Sequence, residues 1–183
     1  PSTKTRLEAE DAGDFQQPMF GGEFGGRNMH FGIREFAMAA ACNGLSLSKL
    51  RPFGAGFLIF SDYCRGAIRL SALMQIPVVY VFTHDSIGLG EDGPTHQPVE
   101  QIASFRAMPG VMVFRPCDAN EVLESWKVIL PFKRDPVILA LSRQNLPTLN
   151  REKYACASGV AKGAYVLADC EGTPDVILIG TGS

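Results

Sequence analysis

Apolar runs recur along this chain at regular intervals: F-L-I-F at 57–60, I-P-V-V-Y-V-F at 76–82, V-M-V-F at 111–114 and P-V-I-L-A-L at 136–141. Each is short and rich in β-branched or aromatic residues, which predicts strands buried on both faces. N-M-H-F at 28–31 reads as a further short strand. The intervening stretches follow a helical period. Residues 34–47 carry Phe36, Ala37, Ala39, Ala40, Ala41, Cys42 and Leu45, apolar almost all round, which predicts a helix buried on most sides. Residues 65–75 bring Ile68, Leu70, Leu73 and Met74 together and stop before Pro77. Pro98 suits a first helical turn, continued by Val99, Ile102, Ala103 and Phe105. Asp118 with Glu121 is a capping signature ahead of a helix that sets Val122, Leu123, Trp126, Ile129 and Leu130 on one face. Strands alternating with helices predict an α/β fold: a parallel β-sheet with helices on both faces.

The pattern loosens after residue 150. The expected organisation is an α/β domain over 1–150, a linker with a small hairpin or strand over 151–174, and the start of another domain over 175–183. V-I-L-I at 176–179 reads as a strand entering that unit, and the chain opens at Pro1 rather than at methionine. Both ends suggest a piece of a longer polypeptide.

Composition narrows the partners. With 183 residues, 46% hydrophobic, 20% charged and a formal net charge of −2, the chain has no electrostatic basis for binding nucleic acid or an acidic membrane. No apolar run approaches the roughly 20 residues of a membrane span. Five scattered cysteines without a C-x-x-C fit reduced thiols in a cytoplasmic protein better than a disulfide framework.

Candidate chemistry concentrates in T-H-D-S-I-G-L-G-E-D-G-P-T-H-Q-P at 83–98, directly after the 76–82 strand, where open α/β sheets bind ligands. It holds two of the three histidines, His84 and His96, and the carboxylates Asp85, Glu91 and Asp92. His84, Asp85, Asp92 and His96 are of metal-ligand type, but their spacing matches no compact ligand motif, and no metal site is assigned to them. Glu35 opens the most apolar helix; it either complements the helix dipole or, if buried, serves as a proton donor. Phe57, Phe60 and Tyr63 recur every third residue, as core packing or as an aromatic wall for a flat ring. Arg143 in L-S-R-Q-N-L follows a strand and is either a surface ion-pair partner or a phosphate grip.

Taken together, G-I-R-E-F, F-L-I-F-S-D-Y, the 83–98 motif with V-E behind it, R-P-C-D-A-N-E and L-S-R-Q-N-L-P resemble the transketolases in order and spacing, over essentially the whole chain. The lead-in H-D-S-I-G-L-G-E separates this pattern from the deoxyxylulose-phosphate synthases, which keep only the D-G-P-T-H core. The resemblance implies the pyrimidine-binding domain of a thiamine diphosphate enzyme that moves a two-carbon ketol unit between sugar phosphates in the pentose phosphate pathway. It implies a homodimer, with the active site shared with the diphosphate-binding domain of a second subunit.

By the same resemblance, Glu35 would hydrogen-bond the cofactor's pyrimidine nitrogen, favouring the imino tautomer that takes the proton from the thiazolium carbon. Phe57, Phe60 and Tyr63 would enclose the pyrimidine. Ser2, His84 and Arg143 would hold the sugar phosphate, Asp92 would bond the hydroxyl beside the reacting carbonyl, and His96 would lie against the ketol carbons. Magnesium or calcium would be bound by the diphosphate domain, which nothing in this chain matches; Asp92-Gly93 with Asn120 is not its metal motif, since Glu91 stands where that motif needs glycine. An arginine expected upstream of Ser2 is also absent. The implied consequence is a chain inactive without the diphosphate domain. The alternatives are a catalytically silent pyrimidine-type module serving as a partner, and one subunit of a split transketolase.

Overall fold

The computed structural model describes residues 15, 19 and 24–182. Its centre is a four-stranded, wholly parallel sheet: β1 Phe53–Phe57, β2 Val79–Thr83, β3 Met112–Phe114 and β4 Val137–Ala140, in the order β1-β2-β4-β3. The helices are α1 Glu35–Leu47, α2 Arg65–Met74, α3 Gln101–Arg106 and α4 Ala119–Ile129.

The unbroken apolar runs are explained by a two-sided core. Alternate strand residues point to opposite faces. Val78, Tyr80, Phe82, Ile138 and Ala140 pack with Ala39, Cys42, Ala67, Ile68 and Phe105 from α1, α2 and α3. Val79, Val137 and Leu139 pack with Ile129 and, at its edge, Trp126 and Phe132 on the α4 side. A sheet covered on both faces is the predicted fold class.

The edges carry the departures. The first strand is F-G-A-G-F at 53–57, not F-L-I-F; Leu58–Cys64 is a 3₁₀ helix. As an edge strand β1 needs no continuous apolar run, and its glycines admit α1: a Cβ on Gly54 would lie 3.3 Å from Met38 and from Cys42. Residues 28–31 form no strand, only a single bridge in which Phe15 N–H donates to the Asn28 carbonyl at 2.7 Å. Helix α1 is buried on one side, through Met38, Ala39, Cys42, Asn43 and Ser46, while Phe36 and Leu47 are more than half exposed. Of the apolar face expected on α4, Ile129 is buried, but Leu123 and Leu130, the residue just past the helix, are exposed. Helix α3 begins at Gln101, three residues after Pro98; the buried Gln101 side chain accepts from Val99 N–H and donates to Asp62, tying the segment before the helix to the 3₁₀ turn.

Two helix ends follow their sequence signals. Gln75 takes a left-handed φ of 52° and closes α2 with Gln75 N–H to Ala72 and Ile76 N–H to Ser71, just before Pro77. Asp118 caps α4 by accepting from Glu121 N–H, while the Glu121 carboxylate accepts from Cys117 N–H, each at 2.9 Å. Beyond residue 150 there is a 3₁₀ helix, Ala157–Lys162, and a single hairpin-like bond from Ala155 N–H to the Leu167 carbonyl. Val176 to Ile179 are 71–94% exposed and pair with no strand among the described residues, so the strand read there is not present. All five cysteines are unpaired.

Candidate active site

Parallel pairing brings one chemistry-bearing residue from every strand to the same edge of the sheet. Phe57, the last residue of β1, is in register with Thr83, the last of β2, and His84 follows it. Leu141 N–H bonds the Phe82 carbonyl as β4 ends, and Arg143 lies two residues on. Arg115 is the first residue beyond β3. The carboxyl ends of parallel strands are where this architecture opens a crevice.

An aromatic row runs along the crevice. The Phe57 and Phe60 rings stack with centroids 6.0 Å apart, and Phe60 and Tyr63 with 6.4 Å. Two imidazoles close on it: His84 at 3.7 Å from Phe57, and His96 at 5.2 Å from Phe60, edge to face. Each histidine is steadied by the threonine before it, Thr83 Oγ1 to His84 Nδ1 at 2.9 Å and Thr95 Oγ1 to His96 Nδ1 at 2.8 Å. Tyr63 is two-thirds exposed, so the row is a wall rather than a closed slot.

Glu35, the first residue of α1, lines a cleft with Gly32, Ala55, Gly56, Phe57 and Phe60. The cleft encloses about 30 Å³, no more than a water's worth of space, so a ring would rest on its open side. The Glu35 carboxylate has no hydrogen-bond or ion-pair partner among the described residues. Its charge reaches the core: burial, and then Glu35, push the Cys64 thiol up to about 12.

The electrostatic centre is Asp92. Its Oδ2 lies 3.4 Å from His84 Nε2 and 3.9 Å from Arg143 Nε, linking the 84–98 loop to the segment after β4. Burial lowers the His84 pKa below the ordinary histidine value; the Asp92 charge opposes this, while Arg143 and His96 add to it. His84 is therefore neutral near pH 7.

Of the residues singled out from sequence, Phe57, Phe60, Tyr63, His84, Asp92, His96 and Arg143 gather at this edge, with Glu35 across the cleft. Ser2 lies outside the described residues. Asp85 is buried against Arg115, Nε to Oδ2 at 2.9 Å. No group of three or more His, Cys, Asp or Glu side chains gathers with metal-ligand geometry among the described residues. Sequence reasoning missed Arg115, whose only signal was its place in R-P-C-D just after a strand. It also missed the two threonines, which carry no motif of their own.

The family described as "Transketolase, pyrimidine binding domain" matches residues 2–148. The transketolase of Halalkalibacterium halodurans is 59% identical over 162 residues, covering 88% of this chain and 24% of that protein. A Pichia stipitis transketolase solved in complex with sedoheptulose 7-phosphate superposes with a TM-score of 0.81 at 44% identity, covering 89% of this chain and 24% of that one. A split-gene transketolase, solved as an inactive β4 tetramer, gives a TM-score of 0.57 at 27% identity over 67% of this chain and 39% of its own. The chain thus spans about a quarter of the length of the curated relatives it matches. With the parallel sheet, the histidine-bearing loop and a family match across most of its length, this chain belongs to the transketolase family and carries its pyrimidine-binding domain.

Proposed function

We propose that this domain supplies the pyrimidine side and the substrate-facing side of a thiamine diphosphate site that transfers a two-carbon ketol unit from a ketose phosphate to an aldose phosphate. The observation that carries the reading is Glu35: a carboxylate with no hydrogen-bond or ion-pair partner among the described residues, at the head of α1, opening into the cleft lined by Phe57 and Phe60. A flat heteroaromatic ring with a basic nitrogen fits both features at once.

Phe57, Phe60 and Tyr63 would hold the pyrimidine by offset stacking, each contact adding about 0.5–1.5 kcal/mol, and Glu35 would hold a proton toward its ring nitrogen. When bound, thiamine diphosphate supplies the electron sink for cleaving and forming the carbon–carbon bond. His84, Arg143 and Ser2 bind the sugar phosphate, Arg143 contributing the fixed positive charge, since His84 is neutral at pH 7. Asp92, within reach of both, accepts from the hydroxyl beside the carbonyl, and His96 lies against the ketol carbons. The diphosphate and its magnesium or calcium ion are left to the diphosphate-binding domain of a second subunit, as part of a homodimer. A cytoplasmic enzyme of the pentose phosphate pathway fits this chemistry. Among the described residues no helix is long and apolar enough to cross a membrane.

The test is complementation. The 183-residue chain with thiamine diphosphate and magnesium should show no ketol transfer, and addition of a polypeptide carrying the diphosphate-binding domain should restore it. Turnover by the chain alone would refute the half-site reading. The likeness to a split-gene transketolase favours a second arrangement, in which the two domains are native separate subunits. The mass of the native polypeptide separates the two.

A further inference from the structure

His84 has a backbone φ of +61°, which residues with a Cβ seldom adopt. The other non-glycine residues with positive φ among those described, Lys49 and Gln75, lie just past the ends of α1 and α2, where left-handed residues are common. His84 follows a strand, where nothing comparable demands it. Such a conformation persists only where its surroundings over-determine it. The ring contacts with Phe57, Thr83 and Asp92 fix the imidazole, but they do not hold the main chain.

The main chain is held one residue later. Arg115 Nε donates to the Asp85 carboxylate at 2.9 Å, and a terminal nitrogen of the same guanidinium donates to the Asp85 carbonyl at 3.4 Å. The Asp85 side chain is 1% exposed and that of Arg115 16%. Arg115 is itself anchored, as the first residue after β3 and directly before the buried Pro116, which restricts its backbone to extended conformations.

We propose that Arg115 is a positioning residue for His84: by gripping Asp85 through both its carboxylate and its carbonyl, it holds the His84 main chain left-handed, with the imidazole on Phe57 and within reach of Asp92. The consequence for substrate rests on the reading of His84 as a phosphate ligand.

The experiment uses the full-length polypeptide that carries this domain, with Arg115→Met, and follows the His84 ring protons by NMR across pH. Among the described residues the charged and titratable groups acting on His84 are Asp92, Arg143 and His96; neither Arg115 nor its partner Asp85 is among them, so a changed titration reports movement of the ring rather than loss of a nearby charge. In the parent, burial holds the His84 pKa below the ordinary histidine value. In Arg115→Met it should move up toward that value, and Arg115→Lys, which keeps one cationic donor to Asp85, should recover most of the parent behaviour. The KM for a ketose phosphate should rise about tenfold, while that for an unphosphorylated ketose stays unchanged. A folded Arg115→Met variant whose His84 titrates as in the parent overturns the proposal. A moved titration with both KM values unchanged upholds the clamp and sinks instead the phosphate role of His84. Should Arg115→Met not fold, Asp85→Asn carries the same measurement, and a parent-like titration there overturns the proposal equally.

Discussion

Phe57 and His84 meet ring on ring, centroids 3.7 Å apart and planes 30° from parallel, because β1 and β2 end in register. The contact buries an imidazole that solvent would otherwise reach, and burial is the first cause of its lowered pKa. Phe57→Leu keeps most of the apolar volume and removes the aromatic partner. It should cost about 0.5–1.5 kcal/mol in chemical denaturation. A loss indistinguishable from zero would show that the stack contributes only burial.

The same burial fixes a pH dependence. His84 has a folded pKa below its unfolded value of roughly 6.5, so its contribution to stability is present above that pH and is lost as pH falls toward the folded value. His84→Gln has no such titration. The difference in unfolding free energy between parent and His84→Gln should therefore shrink as pH drops from 7 to 5, by at most about 1.4 kcal/mol per pH unit. A constant or widening difference would mean that His84 is not held neutral.

Glu35 is the residue whose removal should affect rate and little else. It has no hydrogen-bond or ion-pair partner to orphan among the described residues, so Glu35→Gln should leave stability within about 0.5 kcal/mol of the parent. In the complemented enzyme, ketol transfer should fall by about 10²–10⁴-fold, the contribution typical of a positioned acid–base group. Full activity in Glu35→Gln would remove the thiamine reading at its root.

Arg143 is half exposed and 3.9 Å from Asp92, too loosely paired to matter to folding. Arg143→Lys keeps the charge but loses the planar fork. It should raise the KM for sugar phosphates about tenfold while leaving the denaturation midpoint in place. An unchanged KM would move the phosphate elsewhere.

The sequence made the interior of this fold legible and its edges much less so. β2 and β4 are flanked on both sides, so their residues had to be apolar throughout, and the runs V-V-Y-V-F and V-I-L-A announced them. β1 lies at the edge and is threaded with glycine to admit Met38 and Cys42. Its glycines break the apolar pattern, and F-L-I-F, which overlaps it only at Phe57, drew the start of the strand four residues late. At the candidate site, side chains clustered in one motif, such as His84, Asp92 and His96, could be read directly. Arg115 could not, because its partner Asp85 lies thirty positions away and only the strand order β2-β4-β3 brings them together.

The segment after residue 150 is tied back to the domain through two carboxylates of α4's start, Asp118 and Glu121. Asp118 caps α4 through Glu121 N–H, accepts from Leu149 N–H at 3.0 Å, and pairs with Arg151 at 2.8 Å; Arg151 also donates to the Tyr165 hydroxyl, which bonds Glu121. Burial works to raise the Asp118 pKa, but the two backbone donors and the guanidinium outweigh it and hold the group below the usual carboxylate range. Its stabilisation is thus present above roughly pH 4 and disappears as pH falls through the lowered folded value. Asp118→Asn keeps a good helix cap and loses the charge, leaving the half-buried Arg151 without that counter-ion, at about 1–3 kcal/mol near neutral pH. Asp118→Ala also loses the cap, for about 1 kcal/mol more. Urea midpoints from pH 7 to pH 2.5 check both points: Asp118→Asn should show a flatter acid limb than the parent, converging on it at the lowest pH. Parallel acid limbs would mean that some other carboxylate governs the acid unfolding of this domain.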